Sequence, residues 1–136
     1  MASKILNRSK LLKGVLLLGA LYFAVAAFAH FFCRTIFPFY DASLYSPYHD
    51  TLITLCDLIF VLLFLTVAKN PTKNVDTLDV MIVALILAVI FNLGIIWKID
   101  FNLLGSSEKL FQTKVETFLA VIWAILLLVL RPKKSG

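Results

Sequence analysis

Four long apolar stretches decide what this chain can fold into. Each is long enough for an α-helix to cross the bilayer, which takes about 20 residues for about 30 Å of hydrocarbon. The stretches cover residues 13–37, 48–68, 78–97 and 110–130. The sequence therefore predicts a single transmembrane domain, residues 1–136, because the remaining residues are too few to build a soluble domain.

The composition and the connections specify the fold class further. Hydrophobic residues make up 61% of the chain, and the mean hydropathy is +0.94. The stretches are separated by short segments with breaker residues such as Asn70-Pro71, so neighbouring helices are expected to pack antiparallel. The prediction is an all-α, integral membrane, four-helix antiparallel bundle.

The basic residues predict the orientation of this bundle. Nine of the 13 lysines and arginines fall at the end that holds both termini, and four fall at the other end. Because basic residues accumulate on the cytoplasmic side of short loops, both termini are expected to be cytoplasmic. The net charge of +5 then reflects topology and contact with anionic lipid headgroups, and no nucleic-acid partner is expected.

The two ends of the chain leave alternatives open. The apolar run from Leu11 and the small-residue sequence Ala27-Phe28-Ala29 also fit a secretory signal that is cleaved, which would leave three spans. Lys133-Lys134 fits either a stop-transfer cluster or a dilysine retrieval signal. The expected location is the bacterial inner (plasma) membrane, with the endoplasmic reticulum membrane as the alternative.

Polar residues inside the apolar stretches predict a cluster in the outer leaflet. Asp57 lies within the second stretch, where an aspartate at a helix centre costs about 2.5–3.5 kcal/mol and normally faces the protein interior. Antiparallel order places His30, Arg34, Asn92 and Glu116 at a similar depth. Arg34 is the expected counter-ion of Asp57 or Glu116, because a guanidinium binds a carboxylate through two hydrogen bonds and keeps its charge.

The predicted cluster has two interpretations. It is either a set of ion pairs that fixes helix register or a ligand or proton site that opens to the outside. The first interpretation suits an accessory or structural bundle that self-associates or docks on other membrane proteins. The second suits a binding module or small transporter for a hydrophobic or amphiphilic ligand. A helix-bundle enzyme is the third hypothesis.

Metal and catalytic motifs point to no specific chemistry. The imidazoles and thiols of His30, Cys33, His49 and Cys56 lack a dense ligand spacing, so no metal or cofactor is predicted. Cys33 and Cys56 either form a disulfide or stay free. The chain has no glycine-rich phosphate loop and no nucleophile elbow, so the sequence argues against catalysis.

Two local resemblances carry further expectations. Phe64 to Pro71, a span ending in Ala-Lys-Asn-Pro, resembles small uncharacterised four-helix bacterial membrane proteins. Cys56-Asp-Leu-Ile-Phe60 is similar to the Cys-Glu-Leu-Val-Phe stretch of sigma-2-type proteins of the EXPERA superfamily, which bind sterol-like or cationic amphiphilic ligands in a membrane cavity. The first span lacks the acid of that group. The resemblance therefore implies only that Asp57 faces a ligand.

Overall fold

A computed structural model of the chain describes residues 2–36, 40–104 and 107–133. The α-helices are α1 (Ala2–Phe31), α2 (Pro47–Lys69), α3 (Val75–Lys98) and α4 (Ser107–Leu130). Short 3-10 helices, Ala42–Leu44 and Phe101–Leu104, lie in the connections that follow α1 and α3. The predicted all-α fold with four helices is confirmed, and each helix is long and apolar enough to cross a membrane.

The helices pack as two antiparallel hairpins. Helix α1 lies along α2, α3 lies along α4, and α1 also contacts α4 more extensively than α2 contacts α3. The connections after α1 and α3 lie at one end of the bundle, called here the connection end. The start of α1, the end of α4 and the tight turn between α2 and α3 lie at the other end, called here the terminal end.

Arginine side chains join the helices at the terminal end. Arg8 of α1 donates a hydrogen bond to the backbone carbonyl of Val129 in α4. The Arg131 guanidinium donates to both carboxylate oxygens of Asp79 in α3, from Nε at 2.5 Å and from Nη2 at 2.7 Å. The hydrogen bond to Asp79 raises the pKa of Arg131 above its ordinary value. These contacts tie the two ends of the chain to each other and to α3.

The first helix differs from its predicted bounds at both ends. It begins at Ala2 rather than near residue 13, so the helix also includes the polar segment that precedes the apolar stretch. It ends at Phe31 because Cys33 adopts the left-handed conformation, with φ of 50°. The backbone N–H of Arg34 then donates to the carbonyl of Ala29 at 2.9 Å, a hydrogen bond that typically closes a helix C-terminus. Residue 37, the predicted end, lies outside the described residues.

The hydrophobic core fills the half of the bundle near the terminal end. Its most deeply buried side chains are Leu12, Leu16, Phe64, Val67, Leu78, Met81 and Leu127. In α1 and α3 these residues lie in the N-terminal half of the helix, and in α2 and α4 they lie in the C-terminal half. The half near the connection end has fewer of these fully buried side chains.

Gly19 allows a close approach between α1 and α2. A Cβ atom at Gly19 would lie 2.3 Å from Cε1 of Phe64, which is fully buried. At Gly14, one turn earlier in α1, a Cβ atom would meet nothing within 4 Å. Small residues at such contacts let membrane helices pack closely, so the absence of a side chain at Gly19 sets the spacing of the first hairpin.

We expect Gly19→Ala to lower the free energy of unfolding by about 1–3 kcal/mol, because Phe64 must leave its position in a packed core. Gly14→Ala serves as the control and should leave stability unchanged or raise it by up to about 1 kcal/mol, because alanine favours helix. Thermal unfolding in detergent, followed by tryptophan fluorescence, measures both. Equal effects of the two substitutions would contradict the close approach at Gly19.

Candidate functional site

Asp50 joins three segments of the chain at the connection end. The residue lies in the first turn of α2, where the positive end of the helix dipole favours a carboxylate. Its Oδ1 accepts hydrogen bonds from His30 Nδ1 at 2.6 Å and from the Tyr40 hydroxyl at 2.8 Å. Its Oδ2 accepts from the backbone N–H of Ser46 at 2.7 Å. We call these four residues the Asp50 cluster. It fastens the connection to α1 and α2.

Tyr40 lies in the interior of the protein. Only 5% of its surface is exposed, and its ring lies 4.2 Å from the His30 imidazole, measured between centroids. Burial, and then the hydrogen bond to Asp50, raise the pKa of Tyr40 above its ordinary value. The hydroxyl therefore stays protonated and keeps donating to Asp50.

Asp57 lies two turns further along α2 and differs sharply from Asp50. It is 8% exposed, yet its Oδ2 has no hydrogen-bond partner within the described part of the chain. Nε1 of Trp123 in α4 is buried without a partner among the same residues. By contrast, the Thr54 and Thr117 hydroxyls donate to carbonyls one turn earlier in their own helices. Asp57 and Trp123 thus keep unused hydrogen-bonding capacity.

A cavity of about 580 Å³ lies beside these unpaired atoms. The lining residues with polar side-chain atoms are Tyr22, His30, Tyr40, Asp57, Glu116 and Trp123. The rest of the wall is largely apolar and comes mostly from α1. Because this cavity borders the Asp50 cluster at one end and reaches Asp57 in α2, it extends from the connection end into the bundle.

A smaller cavity of about 210 Å³ adjoins the first. Tyr22, Phe23, Glu116 and Trp123 line both cavities, so the two spaces share this wall. The smaller cavity adds Asn92 of α3 to the polar wall. The two spaces together reach all four helices.

The structure brings four of the five predicted site residues together around the two cavities. His30 and Asp57 line the larger one, Asn92 lines the smaller one, and Glu116 lines both. Their role as a binding site stays a prediction.

Arg34 does not form the ion pair with Asp57 or Glu116 that the sequence predicted. Arg34 is exposed in the connection after α1 and forms no ion pair with a carboxylate of the described residues. The left-handed turn at Cys33 ends the helix before Arg34, so the residue no longer continues the inward face of α1. His30 also pairs with Asp50 rather than lying beside an Arg34–Asp57 pair.

The cysteines and other potential ligands form no recognisable centre. Cys33 and Cys56 are both free and exposed, so they do not form the disulfide that the sequence allowed. Among the residues described by the structure, no group of three or more His, Cys, Asp or Glu side chains is placed to hold a metal ion.

Sequence reasoning missed Tyr40, Asp50 and Trp123 as members of the site. Asp50 carries a recognisable signal, since an acid in the first turn after Pro47 suits a helix N-terminus. Trp123 shares a helical face with Glu116 and therefore was recoverable from spacing alone. Tyr40 has no such signal, because its burial depends on the path of the connection.

Comparisons of this chain with protein-family models, curated proteins and solved structures found no match. The two local resemblances of α2 therefore stay predictions.

The contrast between Asp50 and Asp57 predicts that replacing each aspartate with leucine has a different effect on the free energy of unfolding. Asp50→Leu should lower the free energy of unfolding by about 1–3 kcal/mol, because it leaves the buried Tyr40 hydroxyl and Ser46 N–H without their acceptor. Asp57→Leu should leave stability unchanged or raise it, because it removes a buried carboxylate whose Oδ2 has no partner within the described residues. Thermal unfolding of both variants beside wild type tests this. A strong loss of stability in Asp57→Leu would show that Asp57 holds the bundle together.

Proposed function

We propose that this chain is a small multi-pass membrane protein that binds an amphiphilic molecule in the larger cavity, with Asp57 holding the polar group of that molecule. The observation that carries the proposal is the buried Oδ2 of Asp57, which lacks a partner in the described chain and belongs to a residue lining the cavity. Burying a carboxylate without a partner costs several kcal/mol, and a bound ligand that pairs with it offsets this cost.

The charge around the cavity favours a basic group on the ligand. Asp57 and Glu116 both line the wall, and neither forms an ion pair with a lysine, arginine or histidine of the described residues. Lys109, two turns before Glu116 in α4, is near enough to act on Glu116 electrostatically, but its hydrogen bond goes to the Gln112 side chain at 3.0 Å. An ammonium group would supply the missing positive charge and hydrogen-bond donors.

The size and lining of the cavity suit an apolar body attached to that group. A volume of about 580 Å³ falls within the range of small-molecule sites, about 300–1,000 Å³. Phe23 and Trp123 supply aromatic surface, and most of the other wall residues are aliphatic. The Trp123 indole N–H adds one unused donor, which suits a ligand that also carries an acceptor.

A second candidate function is an accessory subunit that docks on another membrane protein or on a second copy of this chain. One observation favours it. Gly94 lies on the outer face of α3 in a shallow groove of about 270 Å³, where an added Cβ atom would meet nothing within 4 Å. Grooves at small residues are where membrane helices dock on each other. Either function is compatible with the expected bacterial inner membrane, or with the endoplasmic reticulum membrane, and with cytoplasmic termini.

Native mass spectrometry of the full chain, extracted in mild detergent, tests the two candidates together. We expect wild type to carry a bound small molecule and Asp57→Asn to lose it, because the amide cannot neutralise a basic group. Asp100→Asn, which alters an exposed aspartate near the end of α3, is the control and should retain the molecule. A wild-type chain that is free of small molecules and bound to protein partners would contradict ligand binding and favour the accessory subunit.

A further inference from the structure

The larger cavity reaches the surface of the protein along α1. Three aliphatic side chains of α1 that line it are also exposed, with 57% of Leu18, 59% of Leu21 and 40% of Val25 accessible. The cavity is not enclosed, and its other lining residues are buried or half-buried. The cavity therefore has an opening on the flank of α1.

The depth of this opening places it in hydrocarbon. Val25 and Leu18 precede the end of α1 at Phe31 by 6 and 13 residues. At a rise of about 1.5 Å per residue, these positions lie about 9 and 20 Å below the helix end. In a chain that spans the bilayer, exposed side chains at this depth contact lipid acyl chains rather than water.

The wall toward the connection end is built differently. Tyr40 lines the cavity there, is only 5% exposed, and donates to Asp50 at 2.8 Å. Ile36, which also lines the cavity, exchanges two backbone hydrogen bonds of 2.9 Å with Tyr40. The His30 ring packs against Tyr40 and donates to the same carboxylate. The described wall at this end is thus packed and hydrogen-bonded.

We propose that the cavity is filled from the hydrocarbon region of the bilayer, through the opening at Leu18, Leu21 and Val25, and not from the aqueous phase at the connection end. This inference rests on the proposed function. It restricts the ligands to molecules that dissolve in the membrane and enter sideways, with the polar group moving toward Asp57 and the apolar part remaining next to lipid. The Asp50 cluster then acts as the seal on the aqueous side.

A photoreactive lipid tests this route. The full chain is placed in bilayers that contain phosphatidylcholine with a diazirine in the middle of one acyl chain. On illumination the diazirine loses nitrogen and alkylates nearby groups, carboxyl groups included. We expect Glu116 to be labelled and Asp50 not to be, with the labelled residue identified by fragmenting the peptides in the mass spectrometer. Dodecylamine, as a competitor for the cavity, should reduce labelling at Glu116 to the level at Asp50.

Two alanines of α1 give a matched pair of variants. Ala26 lines the cavity and is half-buried, whereas Ala24 is exposed and does not line it. Ala26→Phe should narrow the cavity beside its opening and lower the labelling of Glu116, and Ala24→Phe should leave it unchanged. Circular dichroism checks that both variants keep their helices, and retained labelling on the outer face of α3 shows that the lipid still reaches the protein.

The outcomes separate the route from the function. Labelling restricted to outer faces such as Phe91, together with thermal stabilisation by dodecylamine that Asp57→Asn abolishes, would overturn the lateral route and leave ligand binding intact. Labelling of Glu116 that Ala24→Phe and Ala26→Phe affect equally would also overturn the route. An absence of both labelling and stabilisation by dodecylamine would remove the proposed function together with the route.

Discussion

Hydrocarbon supplies no hydrogen-bond partners, so helices that are long and apolar enough to cross a membrane must meet this constraint from within the chain. The backbone satisfies it by forming four long helices, and the buried threonines satisfy it by donating to carbonyls of their own helix. Asp50 satisfies it through the Asp50 cluster, which brings a histidine, a tyrosine and a backbone N–H to one carboxylate. Asp57, Gln112 and Trp123 do not satisfy it fully, because each keeps one buried polar atom without a partner among the described residues. A buried carboxylate oxygen that the described chain leaves unpaired is costly in this environment, so its position beside a cavity calls for a functional explanation.

The fold separates stability from the candidate site. Large aliphatic and aromatic side chains fill the bundle near the terminal end, where Gly19 brings α1 close to Phe64. Nearer the connection end the helices leave two cavities, which four of the five residues of the predicted polar cluster line. Phe23 and Trp123 belong to both parts, because they pack against the core and line the cavities. Enzymes and binding proteins commonly have such an arrangement, in which a rigid part of the fold supports a less stable site.

Much of the fold was predictable from the sequence, because apolar length and breaker residues determine where membrane helices lie. The predicted spans 48–68, 78–97 and 110–130 fall within α2, α3 and α4, and differ from them by three residues or fewer at each end. Helical spacing also placed Asp57 and Glu116 on inward faces. The Arg34 pairing failed because a left-handed residue ended α1 early, and nothing in the pattern of hydrophobicity indicates a positive φ at a cysteine. The pairing of His30 with Asp50 depends on the path of the connection, which spacing along one helix does not reveal.

The most direct measurement is solid-state or solution NMR of the aspartate side-chain carboxyl carbons, labelled with carbon-13, in lipid nanodiscs. The Asp57 signal is assigned by its loss in Asp57→Asn, and dodecylamine and dodecanol are then added in turn. The account predicts that dodecylamine shifts the Asp57 signal while the signal of Asp79, which is paired with Arg131, stays in place. An Asp57 signal that ignores the amine, or that responds equally to the alcohol, would contradict a cavity in which this carboxylate holds a basic group.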